Sequence, residues 1–403
     1  MSALKDGESG NKRPCCSTKQ QSQADSPCCS GPPSTQRAAP CCGGASFALG
    51  VGAAASGARW IEGVVATPAG GVPRVTTSLT FADRLGGWKA RWAIGRMRYS
   101  VEPGLYAVGS PTPESPVFVS ANYTMSFDRL RSNLGGREGW ILVLDTKGIN
   151  VWCAAGKGTF GTDELVARAA AVRLDEVVAR NVLIVPQLGA TGVSAHEVKR
   201  RCGFRVVYGP VRAEDLPAFL DAGMKTTPEM RRVRFDMLDR MVLIPVELVM
   251  SVKYVLLIAA ALLLLAGLGR DGFSLSRLAV QGVWQVVLFV GAFVGGSITL
   301  PALLPWLPGR AFSAKGVWIG LLVGSASLAV AAAGPDPVLG NWAAIAGWLL
   351  FIVAVASFSA LNFTGATTYT SLSGVRREMR VALPLQIGCA AIGLALWLVG
   401  RFV

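Results

Sequence analysis

Ile141-Leu142-Val143-Leu144-Asp145-Thr146-Lys147-Gly148-Ile149-Asn150-Val151-Trp152-Cys153-Ala154-Ala155-Gly156-Lys157-Gly158-Thr159-Phe160-Gly161-Thr162-Asp163-Glu164 is the segment that decides the fold. It opens on a short apolar run closed by turn residues, the pattern of a buried strand. It closes on Thr162-Asp163-Glu164, which reads as a helix N-cap with an acidic first turn. The helix that follows carries Leu165, Val166, Ala169 and Val172 toward a core. Val117-Phe118-Val119 upstream repeats the strand pattern, as do Asn181-Val182-Leu183-Ile184-Val185 and Phe204-Arg205-Val206-Val207-Tyr208 downstream. Further helices fit Ser194 to Arg201 and Ala213 to Ala222. Strands alternating with helices predict an α/β domain over residues 47–225 with a parallel, doubly wound, Rossmann-like sheet. Ligands of such sheets sit beyond the carboxyl ends of the strands. The loops there are Asp145–Gly148, Gln187–Ala190 and Gly209-Pro210.

The flanks differ from this domain. The chain has 403 residues, is 51% hydrophobic and only 16% charged, with a mean hydropathy of +0.44. Those figures exclude a disordered scaffold and argue against a single water-soluble globule. Residues 1–46 are rich in Ser, Gly, Pro, Gln and Lys and read as a disordered tail without the apolar region of a signal peptide. The tail repeats a Pro-Cys-Cys unit at intervals of 13 residues, giving the pairs Cys15-Cys16, Cys28-Cys29 and Cys41-Cys42. A basic linker, residues 226–247, leads into an all-α transmembrane domain, residues 248–403. Five segments there have the apolar length to span a bilayer: Leu248–Leu268, Leu278–Leu300, Gly316–Gly334, Trp342–Leu361 and Val381–Val399. Pro301 is expected to mark the exit of the second, and Lys253 to snorkel from the first. With the α/β domain inside, ten Lys or Arg residues flank the inner ends of the spans and three the outer ends. The positive-inside rule then puts the α/β domain and N-terminus in the cytoplasm and the C-terminus outside. Much of the net charge of +14 is thereby better explained by membrane topology, with a lipid bilayer as partner, than by nucleic acid.

The chemistry lies in Asn150–Thr162. Gly156-Lys157-Gly158-Thr159 invites a phosphate-loop reading, but Val151 stands where that motif needs its first glycine, and Gly158 follows the lysine where Ser or Thr is required. A dinucleotide fingerprint fails too, because no acidic ribose ligand sits at a suitable strand end. Cys153 is followed by Ala154, Ala155 and Gly156, which lets a flat, bulky ligand approach the backbone while one sulfur projects at it. Trp152 would form an apolar wall, and Lys157 would lower the thiol pKa or meet an anionic ligand group. A buried structural cysteine is the competing reading.

The segment Asn150–Thr162 resembles the cap-helix signature of the HgcA family, membrane-bound corrinoid proteins of microbial mercury methylation. Val101–Tyr106, Ala121-Asn122-Tyr123, Ser126-Phe127-Asp128 and Leu144–Ile149 are similar to that family as well, so the likeness covers roughly Thr80 to Lys225. The domain also resembles, more weakly, the corrinoid domain of the corrinoid iron–sulfur protein of acetyl-CoA synthesis. The N-terminal Cys-Cys repeat departs from the family pattern. The resemblance implies a corrinoid (cobalamin-type) cofactor whose cobalt takes Cys153 as its lower axial ligand and catalytic thiolate. It implies a cap that contacts the corrinoid through Asn150, Val151, Trp152, Cys153, Ala154, Ala155, Gly156, Lys157, Gly158 and Thr159, with strand-end contacts at Gly189 and Gly209. The activity implied is a corrinoid-dependent methyltransferase that makes methylmercury from Hg(II). A thiolate trans to the methyl group favours its departure as a carbanion equivalent, and thiolates select soft metals. The 47–225 segment lacks the cysteine spacing of a ferredoxin. Electrons must therefore come from a partner, and the resemblance implies the ferredoxin HgcB with two iron–sulfur clusters, alongside a methyl donor from one-carbon metabolism. A methyl-carrier protein serving another methyltransferase is the rival reading, and a corrinoid-sensing transporter the third.

His196, the one histidine, lacks the flanking residues of the cobalt-ligating motif of other corrinoid proteins and reads as a surface residue in a helix. Cys15, Cys16, Cys28, Cys29, Cys41 and Cys42 are candidates for soft-metal capture, because a cytoplasmic tail keeps its thiols reduced. Cys202 and Cys389 read as structural, and the basic run Arg231–Arg234 reads as a membrane anchor.

Overall fold

The structure, a computed structural model, describes residues 58–332, 341–363 and 372–403. The tail expected over residues 1–46, with its cysteine pairs, lies outside them. Seven strands form one sheet among the described residues: β1 (Ile61–Thr67), β2 (Gly70–Val75), β3 (Gly104–Val108), β4 (Val117–Ala121), β5 (Gly139–Leu144), β6 (Val182–Val185) and β7 (Arg205–Tyr208). Their spatial order is β1-β2-β3-β5-β4-β6-β7. The four strands legible in the sequence, β4 to β7, are parallel. The sheet as a whole is mixed, because β3 runs antiparallel to β5 and β1 antiparallel to β2. β1 alternates half-buried and exposed positions, and β2 is half-buried except at Val72 and Val75, so neither forms an apolar run and their pattern is weak.

The helices of this domain are α1 (Phe81–Arg91), α2 (Thr124–Ser132), α3 (Val151–Lys157), α4 (Thr162–Ala171), α5 (Leu174–Val177), α6 (Ala195–Cys202) and α7 (Leu216–Asp221). Every residue of β4 and β5 is buried because helices cover both faces. Trp140, Leu142 and Leu144 join the side held by α3, α4 and α6. Ile141 and Val143 join the opposite side, with Phe127 of α2 and Phe219 of α7. The chain leaves β4 toward β5 on one side and returns from β5 to β6 on the other. The strand order therefore reverses at β4, and that reversal opens the crevice where doubly wound sheets take ligands.

One buried charge ties α1, α2 and the β2–α1 connection together. Arg131 is fully buried; its Nε donates to Asp128 at 2.8 Å and its Nη2 to Asp83 at 3.1 Å. Its Nη1 donates to the carbonyls of Thr76 (2.7 Å) and Ser78 (3.2 Å). Burial raises Asp128 above the usual carboxylate value. At Asp83 burial also pushes upward, but hydrogen bonds from Thr80 and Arg131 outweigh it and hold the group low.

Past a segment pinned by Val211 N–H to the Met230 carbonyl (2.8 Å) and by the Arg212–Asp239 ion pair (2.6 Å) come α8 (Met237–Met241), α9 (Ile244–Ala266), α10 (Leu275–Arg277), α11 (Val283–Leu303), α12 (Phe312–Ala332), α13 (Trp342–Asn362) and α14 (Leu372–Val399). Five helical segments among the described residues are long and apolar enough to cross a membrane, so this is a multi-pass membrane protein. α9 begins inside the stretch expected as linker, with a proline in its first turn. Pro301 lies within α11 and does not end it. Arg240, 3% exposed, donates to the Pro301 carbonyl at 2.6 Å, meeting an acceptor near the helix end that would otherwise lack a donor.

Small residues let the last three helices close up. A Cβ on Gly316 would stand 2.6 Å from the Ser357 Cα, one on Gly320 2.6 Å from the Val353 Cα, and one on Gly347 2.6 Å from the Gly393 carbonyl. Such contacts are how helices associate where burial from water supplies no drive.

Replacing Arg131 with Ala strands two buried carboxylates and is expected to cost about 3–5 kcal/mol of stability. Thermal unfolding of the detergent-solubilised chain checks this: the midpoint should fall clearly, and a shift below about 2 °C would refute the assignment.

Candidate functional site

The short helix α3 sits on top of the crevice. Asn150 caps it, its Oδ1 accepting from the Cys153 N–H at 2.9 Å. Gly158 ends it in the left-handed region at φ 83°, a conformation glycine adopts without strain. The Phe160 N–H then returns to the Ala154 carbonyl at 3.2 Å. Val151, Ala154 and Ala155 are buried, whereas Trp152, Cys153, Gly156 and Lys157 are exposed. Cys153, Gly156 and Lys157 follow the i, i+3, i+4 spacing and share one face. The Cys153 thiol is free and exposed, so the competing reading of a buried structural cysteine does not hold.

The seat beneath α3 is made of backbone. A Cβ on Gly192 would stand 2.1 Å from the Phe160 carbonyl oxygen and 3.1 Å from the Ala155 Cα. Gly189, in the turn Gln187–Gly189, would clash with the Phe160 ring at 2.5 Å. Both Gly189 and Gly209 are buried, the latter against Ile184. Gly156 is the contrast: nothing lies within 4 Å of where its Cβ would be. Its missing side chain serves no contact within the described chain, and it clears the surface beside the thiol. Thr162, expected as an N-cap, is the first residue of α4, and Gly161 occupies the cap position. The threonine hydroxyl instead accepts from the Ser194 N–H at 2.9 Å, joining α4 to the start of α6.

Asn122, at the carboxyl end of β4 and 6% exposed, fixes the approach to the cap. Its Oδ1 accepts from the Thr146 N–H (3.1 Å), the Gly148 N–H (2.9 Å) and lies 2.8 Å from the Thr146 hydroxyl. Within this turn Lys147 and Gly148 both have positive φ, 58° and 69°. Lys147 holds that conformation while its side chain pairs with Asp145. Burial pushes the Asp145 carboxyl up, but the Lys147 hydrogen bonds prevail and hold it below 3.8. The Asp145 N–H is taken by Glu164 of α4 at 2.8 Å. Beside the turn runs an apolar rim of Trp92, Ile94 and Met97, exposed by 38, 60 and 75%. The Met97 carbonyl lies 3.7 Å from where a Gly148 Cβ would stand. In the sequence Asn122 stands out only within the family-like Ala121-Asn122-Tyr123, with no role attached to it, and the rim reads as an ordinary amphipathic stretch.

The other expected residues stay apart from the cap. His196 is 83% exposed on α6, in keeping with a surface residue. Cys202 donates its thiol proton to the Val198 carbonyl at 3.2 Å, a local helix contact. Among the described residues no three His, Cys, Asp or Glu side chains cluster to hold a metal.

The glycines separate by experiment. Gly156→Ala should leave the fold intact and raise stability by about 1 kcal/mol through helix propensity. Gly192→Ala should destabilise the domain, and equal thermal midpoints for the two variants would refute the seat. Asp145 has a lowered folded pKa, so its contribution is present above 3.8 and is lost as pH falls through the lowered value. The gap in thermal midpoint between the native chain and Asp145→Asn should therefore be constant near neutral pH and close only in acid.

Comparison with known proteins places a likeness over this same region. The family model described as CO dehydrogenase/acetyl-CoA synthase delta subunit matches residues 94–220, from just before β3 to α7. A gamma subunit of the acetyl-CoA decarbonylase/synthase complex from Archaeoglobus fulgidus is 30% identical over 128 residues, 31% of this chain and 27% of that protein. The corresponding subunit from Methanopyrus kandleri is 30% identical over 123 residues, 30% of this chain and 26% of that protein. The corrinoid/iron-sulfur protein large subunit of Moorella thermoacetica is 29% identical over 126 residues, 31% of this chain and 28% of that protein. The chain thus spans about a quarter of the length of these relatives, and the family match ends before its membrane helices begin.

Proposed function

We propose that the α/β domain binds a corrinoid over the exposed face of α3, that Cys153 ligates its cobalt from the lower side, and that the protein transfers methyl to Hg(II). The observation that carries the reading is a projecting thiol beside a bare glycine. Cys153 is free and exposed, and Gly156, one turn on, has nothing among the described residues facing it. A flat macrocycle fits that surface. Asn150 holds the amide of Cys153 and so orients the sulfur, Trp152 walls one side, and Lys157 lies on the same face for an anionic substituent. The loops after β6 and β7 frame the remainder, with the buried Gly189 and Gly209 letting them close. Bound there, the corrinoid supplies the cobalt centre that carries the methyl group and yields it as a carbanion equivalent.

The printed names of the relatives support the corrinoid part, and the likeness of the cap to mercury-methylating proteins motivates the substrate. In this reading the domain is cytoplasmic, a two-cluster ferredoxin (HgcB) supplies electrons, one-carbon metabolism supplies methyl groups, and the tail cysteines hand over the soft metal.

Cys153→Ala in the full chain should leave membrane insertion unchanged and lower methylmercury formation by at least about 100-fold, more than loss of an outer-shell partner costs. X-ray absorption on the purified protein should show a cobalt–sulfur contact that this variant lacks. Full activity in Cys153→Ala would overturn the mechanism. Gly156→Leu should keep the fold but lose the corrinoid, read from the visible spectrum of the purified chain. A native protein that methylates another acceptor and never Hg(II) would instead establish the methyl-carrier reading.

A further inference from the structure

A cavity of about 710 Å³ opens between α12, α13 and α14, well away from the cap. That volume is typical of ligand sites, roughly 300–1,000 Å³. Its walls are mostly apolar, with Val353 and Leu385 among them, yet its polar groups are arranged in a particular way. At one end stand Arg310, in the α11–α12 connection, and Arg377, early in α14. Alternation of the spans puts both at the end of the bundle where α8 enters. Neither guanidinium has an ion pair or hydrogen-bond partner among the described residues. The one carboxylate lining the cavity, Glu378, is engaged by the Ser313 N–H at 2.6 Å.

Deeper in lies Gln386, 6% exposed. Its Nε2 donates to the Ser357 hydroxyl at 2.8 Å, and that hydroxyl spends its single proton on the Ser313 carbonyl at 3.0 Å. The chain of donors fixes the amide so that its Oε1 is left over, buried and without a partner among the described residues. An unmet buried acceptor in an apolar cavity calls for a donor from outside. Arg377 and Gln386 are nine residues apart on α14, about 13 Å along the axis, and both line the cavity.

We propose that this cavity binds an anionic amphiphile drawn from the bilayer: its acid group lies between Arg310 and Arg377, its chain along the apolar wall, and a hydroxyl donates to Gln386 Oε1. The two cations select the charge, and the spare carbonyl selects a donor. This site does not depend on the corrinoid reading.

Native mass spectrometry of the full chain in detergent tests it with three probes. Oleoyl lysophosphatidic acid offers both a phosphate and a free hydroxyl. Oleoyl lysophosphatidylcholine keeps the hydroxyl and loses the net charge, and dioleoyl phosphatidic acid keeps the phosphate and loses the hydroxyl. The first should bind at one site, about tenfold more tightly than either control, because one control lacks the charge that the arginines meet and the other lacks the donor for the buried Oε1. Replacing both arginines (R310Q with R377Q), which are exposed, should keep the thermal midpoint and erase the preference over lysophosphatidylcholine. Gln386→Leu should erase only the preference over phosphatidic acid, with the thermal midpoint as the control for folding. Equal binding of all three probes, or preferences that survive these substitutions, would overturn the proposal.

Discussion

The contact on which the site depends is the backbone-to-backbone seating of α3. Ala154 and Ala155 face down, and the loop beneath comes so close that Gly192 has no room for a methyl group. Packing at that distance removes side-chain freedom from the interface and fixes the helix as a rigid platform. Its upper face, with Trp152, Cys153, Gly156 and Lys157, is then left exposed. A longer side chain in the seat would lift the helix and move the sulfur of Cys153 with it. The platform is also held laterally, since Asn122 clamps the turn before it and Gly161 starts α4 directly after it.

The membrane domain applies the same rule in a different solvent. Glycines at α12–α13 and α13–α14 contacts bring backbones together, and exposed Leu, Val and Trp side chains face outward. Where helices are packed this closely, space left between them is a feature of the arrangement. The cavity beside Gln386 is bounded by α12, α13 and α14 and contains a polar chain that runs through all three. Arg240 links this domain to the segment before it by donating to carbonyls at the end of α11, so the two parts share a structural joint as well as a covalent one.

Much of the fold was legible because burial leaves a mark in composition. The runs at residues 117–119, 141–144, 181–185 and 204–208 are apolar because helices cover both sheet faces, and each coincides with a parallel strand. The five spans were legible for the same reason, a long stretch that meets only lipid or other helices. β1, β2 and β3 escaped: β1 is a half-exposed edge strand, β2 beside it is mostly half-buried and interrupted by Gly and Pro, and β3 pairs antiparallel with β5 against the expected direction. The site was legible at Cys153, where a run of small residues after a sulfur is unusual. Asn122 was not, because its three acceptor contacts come from residues more than twenty positions away.

By itself the sequence determined the alternation of strands and helices, the presence of five spans, and the chemistry available at residues 150–159, since each depends on local composition and spacing. Tertiary structure decided which small residues are spare. Gly156 and Gly192 look alike in the chain, but one faces open space and the other a carbonyl oxygen 2.1 Å away. That difference is a property of what the fold brings alongside each residue, and it separates a surface left clear beside the thiol from the seat that supports it.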